Sequence, residues 1–424
     1  MSEMFVIRGG KPLHGVVQIS GFKNAALPII ASTLLSKETC IIENVPLIND
    51  VFTLVDIMKE IGADANLSDE GVLTINAGAV EECNAIFDLT KRLRASYYLL
   101  GAGLGRFKKA VINYPGGCNI GTRPIDQHIK GFEGLGANVT ISHGTIACQA
   151  EALVGDHIYM DVVSIGATIN VMLASILAEG KTIIENPAKE PHVVDTANFL
   201  NSMGANVKGA GTDVIRIEGV KALKGCIYTV IPDQIEAGTY MIAAAATGGE
   251  ILVKNIIPKH MEPVIAKLRE AGVQVEEFDE AVRVTSTGKL KAIDVKTLPY
   301  PGFPTDLQQP ITVMLTQAEG TSMITENIYE GRFKYIDELI KMGAEIKVDR
   351  RVAVVIGNGP LSGAKIEAMD LRAGAACVIA GLVASDETLV ENIYHVDRGY
   401  EKVIDKLRAL GADIERISSE PSQE

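Results

Sequence analysis

Six short tripeptides that each close an amphipathic run constrain this chain more than any other feature. They are Ile61-Gly62-Ala63, Leu135-Gly136-Ala137, Met203-Gly204-Ala205, Ala271-Gly272-Val273, Met342-Gly343-Ala344 and Leu410-Gly411-Ala412. Their glycines stand 74, 68, 68, 71 and 68 residues apart, so the chain is a sixfold internal repeat. In the second unit Ile125, His128, Ile129, Phe132 and Leu135 fall at helical spacing before the glycine; in the sixth, Tyr400, Val403, Ile404, Leu407 and Leu410 do so. A glycine at that point reads as a left-handed helix cap. Alternation typical of a hairpin follows, clearest over residues 344–356.

Upstream, each unit carries an apolar helix rich in small residues, expected at 25–35, 95–104, 167–178, 238–246, 307–315 and 374–384. A short strand ending in Asn44, Asn113, Asn186, Asn255, Asn327 or Asn392 comes next. The unit is thus helix–strand–helix–hairpin, and the fold class is α/β. A length of 424 residues exceeds what one core usually supports. Six units divide into two sets of three, with the crossover expected at Ile231-Pro232-Asp233.

From Asn to helix-end glycine the spacings are 18, 23, 18, 17, 16 and 19 residues. The second unit is longer by about five, and the excess lies in Tyr114-Pro-Gly-Gly-Cys118-Asn-Ile-Gly-Thr-Arg123-Pro124. A scaffold broken once, by a glycine-rich loop holding a thiol and a guanidinium, marks a chemical centre. A free cysteine near pKa 8.5 is mostly protonated at neutral pH, while a nearby arginine favours the thiolate. Cys118 therefore suits either a proton donor or a nucleophile.

The formal charge is −13, which disfavours a nucleic-acid surface. Cations are nonetheless concentrated before the helices, at Lys23, Arg94, Arg123, Arg332, Arg372 and Arg398. Helix N-termini with such neighbours form a trap for a multiply anionic substrate. Two readings of Asp306 stay open, a catalytic carboxylate or a cap of the helix starting near Leu307, where Thr305 would serve equally. Asp370 reads as the group that holds Arg372 in place. The seven histidines show no triad or metal spacing, and Gly101-Ala-Gly-Leu-Gly105 lies inside an apolar helix, which points to packing rather than dinucleotide binding. The six cysteines are scattered without CxxC, no apolar run reaches about 18 residues, and the first ten residues lack a leader pattern. The expectation is a cytoplasmic protein with no membrane span, no metal and no cofactor.

The segments Ser20-Gly-Phe-Lys23-Asn24, Leu93-Arg94-Ala-Ser96, Pro115-Gly-Gly-Cys118 through Asp126, Phe303-Pro-Thr-Asp306, Asp370-Leu-Arg372 and His395-Val-Asp-Arg398-Gly-Tyr400 together resemble the UDP-N-acetylglucosamine 1-carboxyvinyltransferases. These enolpyruvyl transferases open peptidoglycan synthesis. The likeness runs from about residue 4 to residue 416, and residues 95–100 and 162–166 look most like the second Gram-positive paralogue.

The resemblance implies two inside-out α/β barrels, helices within and sheets facing solvent. One would comprise residues 23–231 and carry the Cys118 loop; the other would comprise 1–22 and 232–424, with the active site in the cleft between them. The substrates would be phosphoenolpyruvate and UDP-N-acetylglucosamine. Cys118 would protonate the enol carbon or bond to it, and would be the fosfomycin target. Lys23, Arg123 and Arg398 would face the phosphate, and Arg332 and Arg372 the carboxylate. Asn24 would hydrogen-bond the intermediate, and Asp306 would face the sugar 3′-hydroxyl as a base. Arg94, the run Arg123, Pro124, Ile125, Asp126 and Gln127, with Ser164, Ile165 and Ile328, would contact the sugar nucleotide.

Three positions depart from the usual pattern: Val162 for a lysine near the nucleotide, Gln234 for an arginine, and His192 for a glutamate. The first puts a diphosphate contact in doubt. Two other readings stay open, namely the sister enzyme acting on 3-phosphoshikimate and a catalytically weak sugar-nucleotide-binding regulator.

Overall fold

All six helix-end glycines adopt positive φ, from 89° to 102°, a conformation that a side chain disfavours. The computed structural model describes residues 3–114, 121, 124–357 and 359–418. Cys118 and Arg123 lie outside them. The described chain forms two compact units, one built from 3–20, 121 and 232–418 and the other from 21–114 and 124–231.

Each unit contains three sheets of one recurring pattern. A short strand pairs in parallel with the strand that follows a small-residue helix, and that strand pairs with the second arm of an antiparallel hairpin. In one case His157–Tyr159, Lys181–Glu185, Val214–Glu218 and Asn206–Lys208 lie in that order, with Ile183 opposite Arg216. The recurring Asn links the pattern together. Its amide donates to the chain at the end of the parallel partner: Asn44 to Val230 O, Asn113 to Phe87 O, Asn186 to Met160 O, Asn255 to Ile19 O and Asn327 to Thr297 O. Four of the six, Asn44, Asn186, Asn255 and Asn392, also take positive φ, which asparagine tolerates.

Two features differ from the simple repeat. The sixth unit has no hairpin of its own: Asp413–Ser418 pairs with Glu3–Arg8, Phe5 opposite Arg416. The parallel strands of the first and fourth units are also exchanged. His14–Gln18 pairs with Glu250–Lys254, whereas Ile227–Thr229 pairs with Cys40–Glu43. Hydrogen-bond pairing depends on register and not on proximity in sequence, so a repeat count alone does not reveal such an exchange.

The helices Gln234–Thr247, Gln308–Thr316 and Leu371–Val383 pack on one another in the first unit. They are apolar nearly all round, as buried helices must be. Every residue of Leu371–Val383 is buried. In the second unit Tyr98–Phe107 packs on Ile165–Ser175. A Cβ on Gly101 would lie 2.4 Å from Asn170 O, so the glycine run is a packing surface. None of the described helices is long and apolar enough to cross a membrane.

Near the end of the second unit, Asp195 is buried and accepts the Tyr228 hydroxyl at 2.5 Å and the Ile231 N–H at 3.3 Å. Burial pushes its carboxyl up to about 6. The folded state thus holds the proton more tightly than the unfolded chain. Its stabilising effect is complete below about pH 4 and is lost as pH rises through 6, a difference of about 3 kcal/mol. Asp195→Asn is expected to remove this dependence: over pH 4 to 6.5 the wild type should lose melting temperature relative to the variant. A constant offset across that range would refute the assignment.

Candidate functional site

In the first unit two of the sequence-predicted side chains, Arg332 and Arg372, assemble around Asp306. Its Oδ1 accepts from Arg332 Nη2 at 2.8 Å, and its Oδ2 accepts from Arg372 Nε at 3.1 Å and Nη2 at 3.0 Å. The two arginine side chains are 2% and 4% exposed, against 26% for Asp306, so the carboxylate is the part of the cluster that faces outward. The neighbouring helix Gln308–Thr316 has no side-chain cap, so the capping reading of Asp306 does not hold.

Arg372 is fixed from behind. Asp370 caps its helix, Oδ1 accepting the N–H groups of Arg372 at 2.8 Å and Ala373 at 3.0 Å. The Arg372 guanidinium also lies 5.4 Å from the Tyr400 ring centre. Burial alone would raise the pKa of Asp306, but Arg372 and Arg332 more than offset it and hold the carboxyl well below its usual range. Two donors, Arg332 Nε and Arg372 Nη1, have no hydrogen-bond partner among the described residues. Arg398 ends the short helix Tyr394–Asp397, and burial, then the nearby Arg398, lower the pKa of His395.

In the second unit Lys23 opens the helix Lys23–Ser32, with its ammonium 2.7 Å from Asp50 Oδ2, and Asn24 follows it half-buried. Both members of that ion pair are nearly buried. Arg94 lies 5.0 Å over the Tyr97 ring. Ser164 caps the helix Ile165–Ser175, its hydroxyl accepting the Ala167 N–H at 3.3 Å.

The predicted nucleotide contacts on three segments are brought together by residues the sequence did not single out. Pro124 and Ile125 lead into the helix Asp126–Gly134. Gln127 there donates to Asp161 Oδ2 at 3.3 Å and accepts the Asp161 N–H at 2.9 Å, fastening Asp126 and Gln127 to the turn before Ser164. His128 meets Tyr97 edge-on at 5.2 Å, and its Nε2 leaves no room for a Cβ on Gly166. Burial, then Arg94, lower His128 to about 3, so it stays neutral. Asp50, Asp161 and Tyr97 gave no sequence signal beyond their nearness to cationic loops.

The departures have local explanations. Val162 is 58% exposed beside Asp161, which pairs with Lys130 at 2.7 Å. His192 is buried edge-on against Phe22 at 5.2 Å. Gln234 is the first residue of a helix capped by Asp233.

The fold recurs in known proteins. Residues 7–407 match the family described as EPSP synthase (3-phosphoshikimate 1-carboxyvinyltransferase). The enolpyruvyl transferase NikO from Streptomyces tendae superposes with a TM-score of 0.90 at 26% identity, covering 99% of this chain and 100% of that one. An EPSP synthase from Acinetobacter baumannii superposes at 0.75 with 21% identity over 99% and 100%. Family match and fold thus place the chain among the enolpyruvyl transferases.

Two curated relatives narrow the class. UDP-N-acetylglucosamine 1-carboxyvinyltransferase 3 of Caldanaerobacter subterraneus is 59% identical over 98% of this chain and 99% of its own. The UDP-N-acetylglucosamine 1-carboxyvinyltransferase of Clostridium botulinum is 57% identical over 97% and 99%. The chain belongs to the UDP-N-acetylglucosamine 1-carboxyvinyltransferase family.

Proposed function

We propose that this chain transfers the enolpyruvyl group of phosphoenolpyruvate to the 3′-hydroxyl of UDP-N-acetylglucosamine and releases phosphate. The step is the first committed one of peptidoglycan synthesis, carried out in the cytoplasm, on a fold of two inside-out barrels. The observation that carries this reading is the Asp306 carboxylate gripped by Arg332, from a turn, and Arg372, from the first turn of the helix Leu371–Val383.

In the proposed reaction the 3′-oxygen bonds to C2 of phosphoenolpyruvate and its proton passes to Asp306. Cys118 delivers a proton to C3, giving a tetrahedral phosphoketal. The C2–O bond to phosphate then breaks, and loss of a C3 proton restores the double bond. Lys23, Arg123 and Arg398 take the phosphate and Arg332 and Arg372 the carboxylate, with Asn24 beside the intermediate. Arg94, residues 123–127, Ser164, Ile165 and Ile328 hold the sugar nucleotide. Preplaced cations stabilise charge as it grows, with no reorganisation at the moment of reaction.

A carboxylate held as low as Asp306 is a weak base. The incoming carboxylate offers the arginines a second anion, and two of their donors, Arg332 Nε and Arg372 Nη1, are buried without a hydrogen-bond partner among the described residues. Shared between two anions, the guanidiniums depress Asp306 less, so the base strengthens only once phosphoenolpyruvate is bound.

The test is phosphate release from phosphoenolpyruvate with either UDP-N-acetylglucosamine or shikimate 3-phosphate as acceptor. Release only with the UDP-sugar is expected. Release only with shikimate 3-phosphate would transfer the chain to the sister activity, and nucleotide binding without release would make it a regulator.

A further inference from the structure

Behind Asp306 lies a second carboxylate, shut off from solvent. Glu326, directly after the strand Ala318–Thr325, is fully buried. Four donors converge on it. Oε1 accepts from the Thr297 hydroxyl at 2.9 Å, the Ile328 N–H at 2.8 Å and the Tyr329 N–H at 3.1 Å; Oε2 accepts from the Thr305 hydroxyl at 2.9 Å. Among the described residues no ion pair joins it, so these bonds are what offset the cost of burying the charge.

The direction of the bonds matters. Thr305 spends its only proton on Glu326, so its oxygen is left to accept from Arg332 Nη1 at 3.0 Å. Arg332 then turns Nη2 to Asp306. A chain of oriented bonds polarises each member in turn, which makes the Thr305 oxygen a better acceptor for the cation. The same carboxylate fixes the backbone at Ile328 and Tyr329, four and three residues before Arg332. All four hydrogen-bond partners of the Glu326 carboxylate are donors, a demand met by an acceptor-only carboxylate and not by an amide.

We infer that Glu326 is a positioning residue for enolpyruvyl transfer, setting Arg332 and Asp306 through the Thr305 hydroxyl and setting Ile328 through its backbone. This rests on the function proposed above.

Three variants test it: Glu326→Gln, Thr305→Val and the double variant, with kcat measured at saturating substrates. Glu326→Gln and Thr305→Val are each expected to lower kcat at least tenfold. The double variant should fall no further than the worse single one, because both cut one chain. Glu326→Gln, and not Thr305→Val, should also raise KM for the UDP-sugar, through Ile328. Losses that multiply in the double variant, or a Glu326→Gln kcat within twofold of wild type, would overturn the inference. Where Glu326→Gln fails to fold, Thr305→Val decides alone: a tenfold loss supports the chain and a kcat within twofold rejects it. Should wild-type turnover prove to need shikimate 3-phosphate, the same cycle with that acceptor still decides the role of Glu326.

Discussion

Asp306→Asn is expected to lower kcat by about 10²–10⁴, the usual worth of a positioned general base. Phosphoenolpyruvate affinity is expected to move the other way. In the resting protein Arg332 and Arg372 both pair with Asp306, at 2.8 Å and 3.0 Å, so the substrate must share them with a built-in anion. The asparagine cannot compete for them. The variant leaves two buried guanidiniums without their counter-charge, a situation that costs about 3–5 kcal/mol when one partner of a buried pair is removed. Its melting temperature should therefore fall, and phosphoenolpyruvate should restore more of it than in the wild type. Calorimetry of phosphoenolpyruvate binding without the sugar nucleotide decides the matter: binding weaker than wild type would mean that Asp306 builds the anion site and does not mask it.

Cys118→Ala is expected to reduce phosphate release by at least about 10², the lower range for a lost acid–base group, and to abolish fosfomycin labelling seen by intact mass. The other thiols make this a clean test. Burial pushes Cys83 and Cys148 up to about 12 and raises Cys377 as well. Contact with Cys40, together with burial, raises Cys226 too. Cys40, whose thiol the contact with Cys226 lowers, is fully buried. The thiolate is the nucleophile that opens an epoxide, and none of these five sites favours an exposed one. Labelling that persists in Cys118→Ala would move the reactive thiol to one of them.

Much of the local structure was legible. A glycine closing each amphipathic run leads to positive φ because only local sterics are involved, and Gly62, Gly136, Gly204, Gly272, Gly343 and Gly411 all comply. The cationic loops were legible as well, since charge concentrated before helices stands out in a chain of net charge −13. What escaped was anything carried by few residues or by distant ones. Three-residue strands such as His157–Tyr159 hold no periodic signal. Glu326 looks like any strand-end glutamate until four donors are seen around it. Asp306 was open between cap and catalytic group because the choice depends on partners 26 and 66 residues away.

The sequence by itself determined the repeat, the α/β class, the cationic loops and the family likeness, because propensity, turn chemistry and charge act over a few neighbouring residues. Only the tertiary structure decided which strands exchange places at the ends of the repeat. It alone turned Asp306 away from its helix and onto two arginines, and it alone set Glu326 behind them. Pairing register and buried ion pairs are settled by which surfaces exclude water together, and that is a property of the assembled chain.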